Sequence, residues 1–381
     1  MALQSSGTIS IADIAAEFGG GTPHSLNEYY AAAPGVPTSG TISNSDFYGK
    51  SLWDNEFSVV TYSGTGSTNV VSIPELTTGI DFIWIKGRSN TGAPNIIDSL
   101  RGDNKVLYTH GTGQESTEQS FSFSTSTFTT NGSHGGSWND SGATYVAWCA
   151  TLPTDWSNNA GSNGASLTST GKKNSFMSAS KYTGNITGGA TVGHGLGSTP
   201  EMIIFKNYGA TASWHVYHKD IPNAQNALLY LDTSGTPGVT SQFLQGTLPN
   251  SSIITLGDSG GTNGIQGMIT YSFKSVSGKC DIGSYTGISG TKTLNFGFEP
   301  QFVMIKNINA SEPWFMFDTE RVDDDGESLY LLANATDVES TDESSPNIKL
   351  TATGVSIETT YGGVNGPAGN TFAYVAIAKN P

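Results

Sequence analysis

Six histidines are the first residues of this 381-residue sequence to test for chemistry. His215 and His218 lie in one apolar run, and imidazole is a common metal ligand. Side chains three positions apart in a regular strand point to opposite faces, so the pair favours no shared metal site. The sequence also lacks a Gly-x-Ser-x-Gly elbow, a Cys–His nucleophile signature and a phosphate-binding loop.

Carboxylates offer two further candidates. Asp318 and Glu320 would share one face of a strand, and paired carboxylates are what glycoside hydrolysis requires. The acidic run 323–327 contains oxygen ligands for a hard cation such as Ca²⁺, but its spacing differs from that of a helix-loop-helix calcium loop. We therefore expect a solvated hairpin turn there, no metal, no cofactor and no enzymatic activity, with a glycan-degrading enzyme kept as an alternative.

Seven tryptophans could serve a core or a ligand-binding surface. Four lie in strand-like stretches of the repeats described below, and we expect them to pack in the core. Three others lie in turn-like stretches and are the better candidates for an exposed, sugar-stacking surface. The first group is Trp84, Trp148, Trp214 and Trp314, and the second is Trp53, Trp138 and Trp156.

The net charge of −15, with only 17 basic residues, excludes several classes of partner. No basic patch can be large enough for nucleic-acid phosphates or for anionic lipid. No apolar run is long enough to cross a bilayer, and the polar start predicts no signal peptide. Cys149 and Cys280 are too far apart to suggest a disulfide framework, so folding in a reducing cytoplasm is expected.

An internal repeat is the strongest feature of the sequence. Three copies open on Tyr-x-Gly and continue to an apolar strand that ends in a lysine, at Lys86, Lys206 and Lys306. Between copies two and three the register holds at 100 residues, which matches 229–231 with 329–331. His218 stands where the other copies have aspartate, at Asp98 and Asp318, so copy two must form its turn differently.

The repeats predict the fold. Gly, Ser and Thr surround short β-branched and aromatic runs of four to seven residues, which is typical of strands joined by tight turns. A copy near 100 residues with this spacing most simply closes as a two-sheet β-sandwich. The prediction is an all-β protein with three tandem, jelly-roll-like β-sandwich modules at 53–152, 176–276 and 277–381, and a linker or long loop at 153–175.

Residues 1–52 differ from the modules and predict a partly helical anchor. A helix is expected to start near Thr8 or Ser10 and to end at Gly19, with a second short helix at 25–32. The opening motif Ser-Gly-Thr-Ile-Ser recurs at 39–43. The segment is too small to bury its apolar residues alone, so it either packs on module 1 or docks on a neighbouring protein. The candidate docking residues are Ile11, Ile14, Phe18, Leu26, Tyr29, Tyr30, Phe47 and Tyr48.

These motifs resemble those of tailed-bacteriophage virion proteins, of the tail-fibre or tail-associated type found in phages of marine bacteria and cyanobacteria. The resemblance includes the N-terminal pattern 7–20 and 46–50, the Tyr-x-Gly stretches and the apolar strand 144–149. It covers nearly the whole chain. The motifs are specific when taken together, whereas each of them alone is a weak signal. It implies a virion component and carries no catalytic residues to transfer.

The resemblance implies a virion protein, in the tail in preference to the capsid, that is assembled in the cytoplasm of the host bacterium. Expected partners are other virion proteins of the tail, the baseplate or the capsid, further copies of the same chain with a trimer as one option, and a host-surface glycan. The alternative to a tail protein is a capsid decoration or cement protein. Nucleic-acid binding and membrane insertion are not expected.

Overall fold

The computed structural model describes residues 3–379, apart from gaps at 5, 19–21, 31, 33–35, 38, 49–54, 119–120, 133, 160–165, 341–345 and 347. The protein is nearly all β, with 38% strand and 6% helix, and its sheets build a sandwich-type fold with a small helical N-terminus. The predicted fold class is therefore confirmed. Residues up to Glu56 form one compact unit, the N-terminal unit, and Phe57–Lys379 form a second, the three-module body.

The described residues of the N-terminal unit form one α-helix and two single-turn 3₁₀-helices. Helix α1 spans Ile11–Phe18 and is capped by Ser10, whose hydroxyl accepts from the Asp13 amide at 3.2 Å while the Asp13 carboxylate accepts from the Ser10 amide at 2.8 Å. The predicted second helix is shorter than expected: a 3₁₀-helix at Leu26–Tyr29. The other 3₁₀-helix is Asn44–Phe47.

Module 1 folds as two sheets that face each other. Its large sheet has the strand order β1-β9-β3-β4-β5-β6, and its small sheet has the order β2-β8-β7. Apolar side chains of both sheets, including Ile83, Phe128 and Cys149, pack into one core between them. The strands are β1 (Phe57–Ser63), β2 (Asn69–Ser72), β3 (Phe82–Gly87), β4 (Asn95–Asp98), β5 (Lys105–Tyr108), β6 (Ser116–Thr117), β7 (Phe121–Phe123), β8 (Thr127–Thr130) and β9 (Thr144–Ala150).

Module 2 contributes ten strands that join into one ten-stranded sheet. Its path is β17-β16-β15-β14-β19-β12-β11-β13-β18, with β10 paired to β11 and a four-residue helix α2 (Gly260–Asn263) before the last strand. The strands are β10 (Thr154–Asn159), β11 (Ser166–Lys173), β12 (Met177–Tyr182), β13 (Thr191–Gly193), β14 (Met202–Asn207), β15 (His215–His218), β16 (Ala227–Tyr230), β17 (Gly238–Val239), β18 (Ile253–Thr255) and β19 (Met268–Phe273).

Module 3 repeats the arrangement of module 1 with a five-stranded and a three-stranded sheet. The large sheet has the order β20-β27-β22-β23-β24, and the small sheet has the order β21-β26-β25. The strands are β20 (Cys280–Thr286), β21 (Lys292–Asn295), β22 (Pro300–Asn307), β23 (Trp314–Asp318), β24 (Leu331–Leu332), β25 (Ile348–Thr351), β26 (Gly354–Ile357) and β27 (Thr371–Ala378).

The prediction of a linker or long loop at 153–175 is wrong. This stretch forms β10 and β11, which pair antiparallel, and β11 continues into the module 2 sheet through β12. Trp156 faces Gly171 across the pair, where any side chain larger than hydrogen would strike the indole at 2.5 Å. The glycine that looked like a loop signal therefore makes room for a ring on a strand.

The large sheets are buried on both faces, which explains their uninterrupted apolar runs. One face of each packs inside its own module, and the other faces a central core that all three modules share. A small apolar cavity of about 30 Å³ lies in this core. Equivalent strand positions of the three modules line it, namely Phe82, Met202 and Phe302, then Trp84, Ile204 and Met304, then Trp148, Tyr271 and Val375.

The 100-residue register between modules 2 and 3 fails after β23. Tyr230 pairs with His215, whereas Leu332 pairs with the equivalent residue Phe315. The match of 229–231 with 329–331 is therefore two residues out of step, because module 3 has a longer turn before its β24. The corrected equivalence places Asn334 with Asp232. Asp232 accepts from the Trp214 amide just before β15, and Asn334 accepts from the Trp314 amide at the start of β23.

Candidate functional site

The predicted docking residues fall into two groups within the N-terminal unit. Ile14, Tyr29 and Phe47 are buried in a small core of the unit itself. Phe18 packs on this core, with its ring 6.5 Å from that of Tyr29 and 5.7 Å from that of Phe47. The expectation that the segment is too small to bury these side chains is therefore wrong.

The remaining docking candidates lie at the outside of this core. Ile11 and Leu26 are partly buried against it, Tyr30 is half-buried, and Tyr48 is exposed. The two Ser-Gly-Thr-Ile-Ser motifs are joined by reciprocal contacts. Asn44 donates to the Ile9 carbonyl at 2.7 Å, the Tyr48 hydroxyl donates to Gly7 and the Tyr30 hydroxyl donates to Gly40.

Asp318 and Glu320 do not form a catalytic pair on one strand face. Strand β23 ends at Asp318, and Glu320 lies in the following turn with an exposed side chain. Both oxygens of the fully buried Asp318 carboxylate are occupied: Oδ1 accepts from the Glu320 amide at 3.1 Å, and Oδ2 accepts from Arg321 Nε at 2.8 Å and Trp148 Nε1 at 2.9 Å. Asp318 therefore has the contacts of a structural carboxylate.

Asp318 belongs to a buried charge network between modules 3 and 1, here called seam 3–1. Arg321 is fully buried, and it also donates to Glu339 Oε1 at 3.0 Å and to the Met316 carbonyl at 3.1 Å. Glu339 in turn binds Arg88 of module 1 through its carboxylate at 2.7 Å, and its amide donates to the Arg88 carbonyl at 2.8 Å. The network thus joins two modules with charge-assisted hydrogen bonds.

Equivalent residues build seam 1–2, between modules 1 and 2. Asp98 Oδ2 accepts from Arg101 Nε at 2.6 Å and from the Tyr271 hydroxyl of module 2 at 2.7 Å. Arg101 lies 3.4 Å from Glu115, whose amide donates to the Tyr208 carbonyl of module 2 at 2.9 Å. Modules 1 and 2 therefore contact each other through the same positions as modules 3 and 1.

Seam 2–3 lacks this network. His218 replaces the aspartate and accepts from the Asp220 amide at 3.3 Å through Nδ1, so it fills the same place in the turn. Its Nε2 lies 3.3 Å from the Tyr374 carbonyl of module 3. Burial lowers the pKa of His218 to about 4, so the imidazole is neutral at pH 7. Copy two thus supports the turn with an imidazole nitrogen, where module 3 uses a carboxylate oxygen of Asp318 for the equivalent amide.

The lysines that end the repeated strands are all fully buried. Lys206 donates to the carbonyls of Ala212 at 2.6 Å and of Thr112, in module 1, at 3.0 Å. Lys306 donates to the carbonyl of Ser234, in module 2, at 3.2 Å, and Lys86 donates to Gly92 at 2.9 Å. Burial lowers the pKa of each lysine to about 8.

Buried asparagines explain the Tyr-x-Gly signature, and sequence analysis missed them. In module 2 the Tyr182 hydroxyl donates to the Thr262 carbonyl, and the next residue, Asn263, holds the loop after Gly184. Asn263 accepts from the Asn185 amide at 2.8 Å and donates to Thr187 at 3.0 Å. The equivalent tyrosine and asparagine are Tyr62 with Asn139 in module 1, and Tyr285 with Asn365 in module 3.

The glycine of this signature is required by a close approach of two backbones. A Cβ at Gly184 would lie 2.2 Å from the Asn263 carbonyl carbon, and one at Gly287 would lie 2.3 Å from the Asn365 oxygen. The signal that could have found the asparagines is an Asn five or six residues before the start of each closing strand.

The tryptophan predictions are partly right. Trp84, Trp148, Trp214 and Trp314 are buried, as expected. Trp138 is fully buried as well, so the expectation that it lies on an exposed surface is wrong, since its ring packs against Phe121 and His134. Trp156 is half-buried, and Trp53 lies outside the described residues.

The metal and cation candidates show no ligand cluster. Among the described residues, no group of three or more His, Cys, Asp or Glu side chains is placed to hold a metal ion. Asp323 instead organises a turn, where its carboxylate accepts from the amides of Asp325 at 3.0 Å and Glu327 at 2.8 Å. Within the same part of the chain, no helix has the length and apolar character that spanning a membrane requires.

The fold and the seams define a class: an all-β protein whose three quasi-equivalent modules close into one body. The chain belongs to the family described as a domain of unknown function (DUF7483), whose model matches residues 54–381. The match begins near the boundary between the N-terminal unit and the body. No curated protein and no solved structure matches the chain.

Proposed function

We propose that the chain is a structural protein of a bacteriophage virion, anchored by its N-terminal unit and taking part in host attachment as a tail-fibre or tail-associated protein. The observation that carries the proposal is the division of the chain into a small unit with its own core and a large body closed by internal seams. The resemblance of the N-terminal motifs to those of tail proteins supports the same function.

In this proposal the N-terminal unit docks on a neighbouring virion protein of the tail or baseplate. The outer residues Ile11, Phe18, Leu26, Tyr30 and Tyr48 supply the contact. The buried Ile14, Tyr29 and Phe47 keep these residues in place. Because the inner sheet faces of the body are covered within one chain, a homo-oligomer, including a trimer, forms through outer surfaces.

Cryo-electron microscopy of the intact virion tests this function. We expect the chain in the tail, with residues 6–48 against another protein, because an anchored unit needs a neighbour. Copies spread over the icosahedral shell would favour a capsid decoration protein instead. Absence of the chain from purified virions would contradict both assignments.

Host attachment also needs a surface that binds a ligand, and module 2 has a suitable groove. An open groove of about 230 Å³ is lined by Trp156, two glycines and four small polar residues. An indole beside hydroxyl and amide groups is the chemistry with which proteins bind neutral sugars. The polar residues are Ser157, Asn158, Ser251 and Ser252, and the glycines are Gly195 and Gly197.

We expect Trp156→Ala to weaken binding of a neutral host-envelope oligosaccharide about tenfold, since about 1.4 kcal/mol of lost ring contact corresponds to that factor. Isothermal titration of the purified chain measures it. Asn158→Ala leaves the indole intact and should weaken binding to a lesser degree. Val70→Ala, at an exposed position of module 1, is the control. Unchanged affinity in both groove variants, with melting temperatures retained, would reject this groove as the glycan site without affecting the virion assignment.

A further inference from the structure

The three seams of the body can be compared position by position because the modules are quasi-equivalent. At seams 1–2 and 3–1, one module supplies an Asp, an Arg and a Glu, and the next module supplies a ring donor to the Asp. The donor is Tyr271 at seam 1–2 and Trp148 at seam 3–1. Two of the three seams thus have the same four-part lock.

Seam 2–3 has lost every part of this lock. The Asp position is His218, the Arg position is Ile221 and the Glu position is Pro237. On the facing module, Val375 stands where Trp148 and Tyr271 stand and cannot donate a hydrogen bond. Proline also lacks the amide hydrogen with which Glu115 and Glu339 bind the facing backbone.

The same seam contains an open groove. A groove of about 350 Å³ is lined by residues of module 2 and by Ile308 and Asn309 of module 3. Ile308 is the equivalent of Tyr208 and Arg88, whose carbonyls accept from Glu115 and Glu339 at the two locked seams. The lining from module 2 is Pro222, Ala227, Thr236, Pro237 and Val239.

Some contacts still hold seam 2–3 closed in the structure. Trp314 donates to the Tyr230 carbonyl at 3.0 Å, as Trp214 does to Tyr108 at seam 1–2. Lys306 donates to Ser234 at 3.2 Å, and the shared apolar core continues across the seam. The difference between the seams is therefore the charge lock and the packing at the groove.

We propose that seam 2–3 is the opening seam of the body, at which modules 2 and 3 separate while the two locked seams stay closed. Among the described residues, opening there breaks no hydrogen bond to a buried carboxylate. Opening seam 1–2 instead removes the Tyr271 hydroxyl from Asp98, and opening seam 3–1 removes Trp148 Nε1 from Asp318 and Arg88 from Glu339. The body thus has a built-in conformational device whose position is set by three residues of module 2 and one of module 3. It stands independently of the virion assignment.

The two native cysteines report on this opening. Both are free and buried. Cys280 lies in the shared central core at the position equivalent to Phe57, whose ring lies 5.9 Å from that of Phe302 across seam 3–1, so Cys280 lies at seam 2–3. Cys149 lies in the core inside module 1, away from the seams. A thiol reagent reaches Cys280 when seam 2–3 opens and reaches Cys149 only when module 1 unfolds.

The test is peptide-resolved thiol labelling of the full chain under native conditions. We expect Cys280 to be modified at least tenfold faster than Cys149. The triple variant His218→Asp, Ile221→Arg, Pro237→Glu restores three of the four parts of the lock and should slow labelling of Cys280 at least tenfold, with Cys149 unchanged. Equal rates at the two cysteines, or a folded triple variant with an unchanged Cys280 rate, would overturn the proposal.

Hydrogen exchange of the unmodified chain decides the question if the triple variant does not fold. The equivalent segments 108–118, 230–240 and 332–340 lie at seams 1–2, 2–3 and 3–1. We expect the middle segment to lose protection first, since only its seam has no lock. Protection of 230–240 equal to or greater than that of the other two segments would overturn the proposal.

Discussion

Replacing Arg321 with leucine should lower the free energy of unfolding of the body by about 3–5 kcal/mol, the usual cost of removing one partner from a buried ion pair. Arg321 has no exposed surface and binds Asp318, Glu339 and the Met316 carbonyl. Its guanidinium also lies 5.6 Å from the centre of the Trp148 ring. The substitution leaves the Asp318 carboxylate buried with one charged partner fewer. Denaturant unfolding of the full chain, followed by tryptophan fluorescence, measures the change.

Two further variants separate the ion pair from a loss of volume. Lys379→Leu removes an exposed pair with Glu299, at 2.9 Å, and should change stability by less than about 1 kcal/mol. The double variant Asp318→Leu, Arg321→Leu removes both buried charges and should recover part of the loss. A double variant that loses as much as the sum of its two single variants would show that the two charges do not act as a pair.

The strands and the repeat could be predicted from the sequence because apolar runs between turn residues are a local signal. Strand β3 (Phe82–Gly87) is one example, since its six residues are all buried. Burial on both faces removes the alternation of apolar and polar residues along a strand. The sequence therefore did not show that the second face of each large sheet packs against the other modules. Trp156 was assigned to a loop for a related reason: its neighbours are Asn, Ser and Gly, and its strand is defined by pairing with β11.

The meaning of single positions depended on contacts between modules, which no local pattern contains. His218 stood out against Asp98 and Asp318 in the sequence, but the change could be understood only once Arg321 and Trp148 were seen around Asp318. The core of the N-terminal unit also depends on contacts between residues that are far apart in the sequence. Ile14 and Phe47 are 33 positions apart and meet in a core that the length of the segment alone argued against.

The three buried lysines should make the body more stable as the pH rises from 8 towards 10. Burial lowers the pKa of Lys86, Lys206 and Lys306 from 10.5 to about 8. Between those two values the unfolded chain binds more protons than the folded one, so raising the pH favours folding. One pKa unit corresponds to 1.36 kcal/mol, so each lysine contributes on the order of 1–2 kcal/mol over this window.

The rise in the stability of the body should end near pH 10. The sign of the change distinguishes the buried lysines from general charge repulsion. Burial raises the pKa of Tyr182, Tyr271 and Tyr285 above the ordinary value of 10.0, so stability is lost above pH 10 as these residues ionise in the unfolded chain. General charge repulsion works the other way from the lysines, because a chain of net charge −15 becomes more negative as the pH rises. An increase in stability between pH 8 and 10 therefore points to buried amines that lose their protons at a lower pH in the folded protein than in the unfolded chain.

Lys206→Met assigns the effect to a particular side chain, since it keeps most of the buried stem and removes the titrating group. We expect the rise in unfolding free energy between pH 8 and 10 to fall by about a third, because one of three equivalent lysines no longer releases its proton on folding. Lys292→Met, at a less buried position on β21, is the matched control and should leave the profile unchanged. If Lys206→Met and the unmodified chain have the same pH profile, the buried lysines are not the source of the rise. The same substitution at Lys86 or Lys306 should also lower the rise in unfolding free energy by about a third. That result would show that the three lysines, which lie in three different modules, titrate independently.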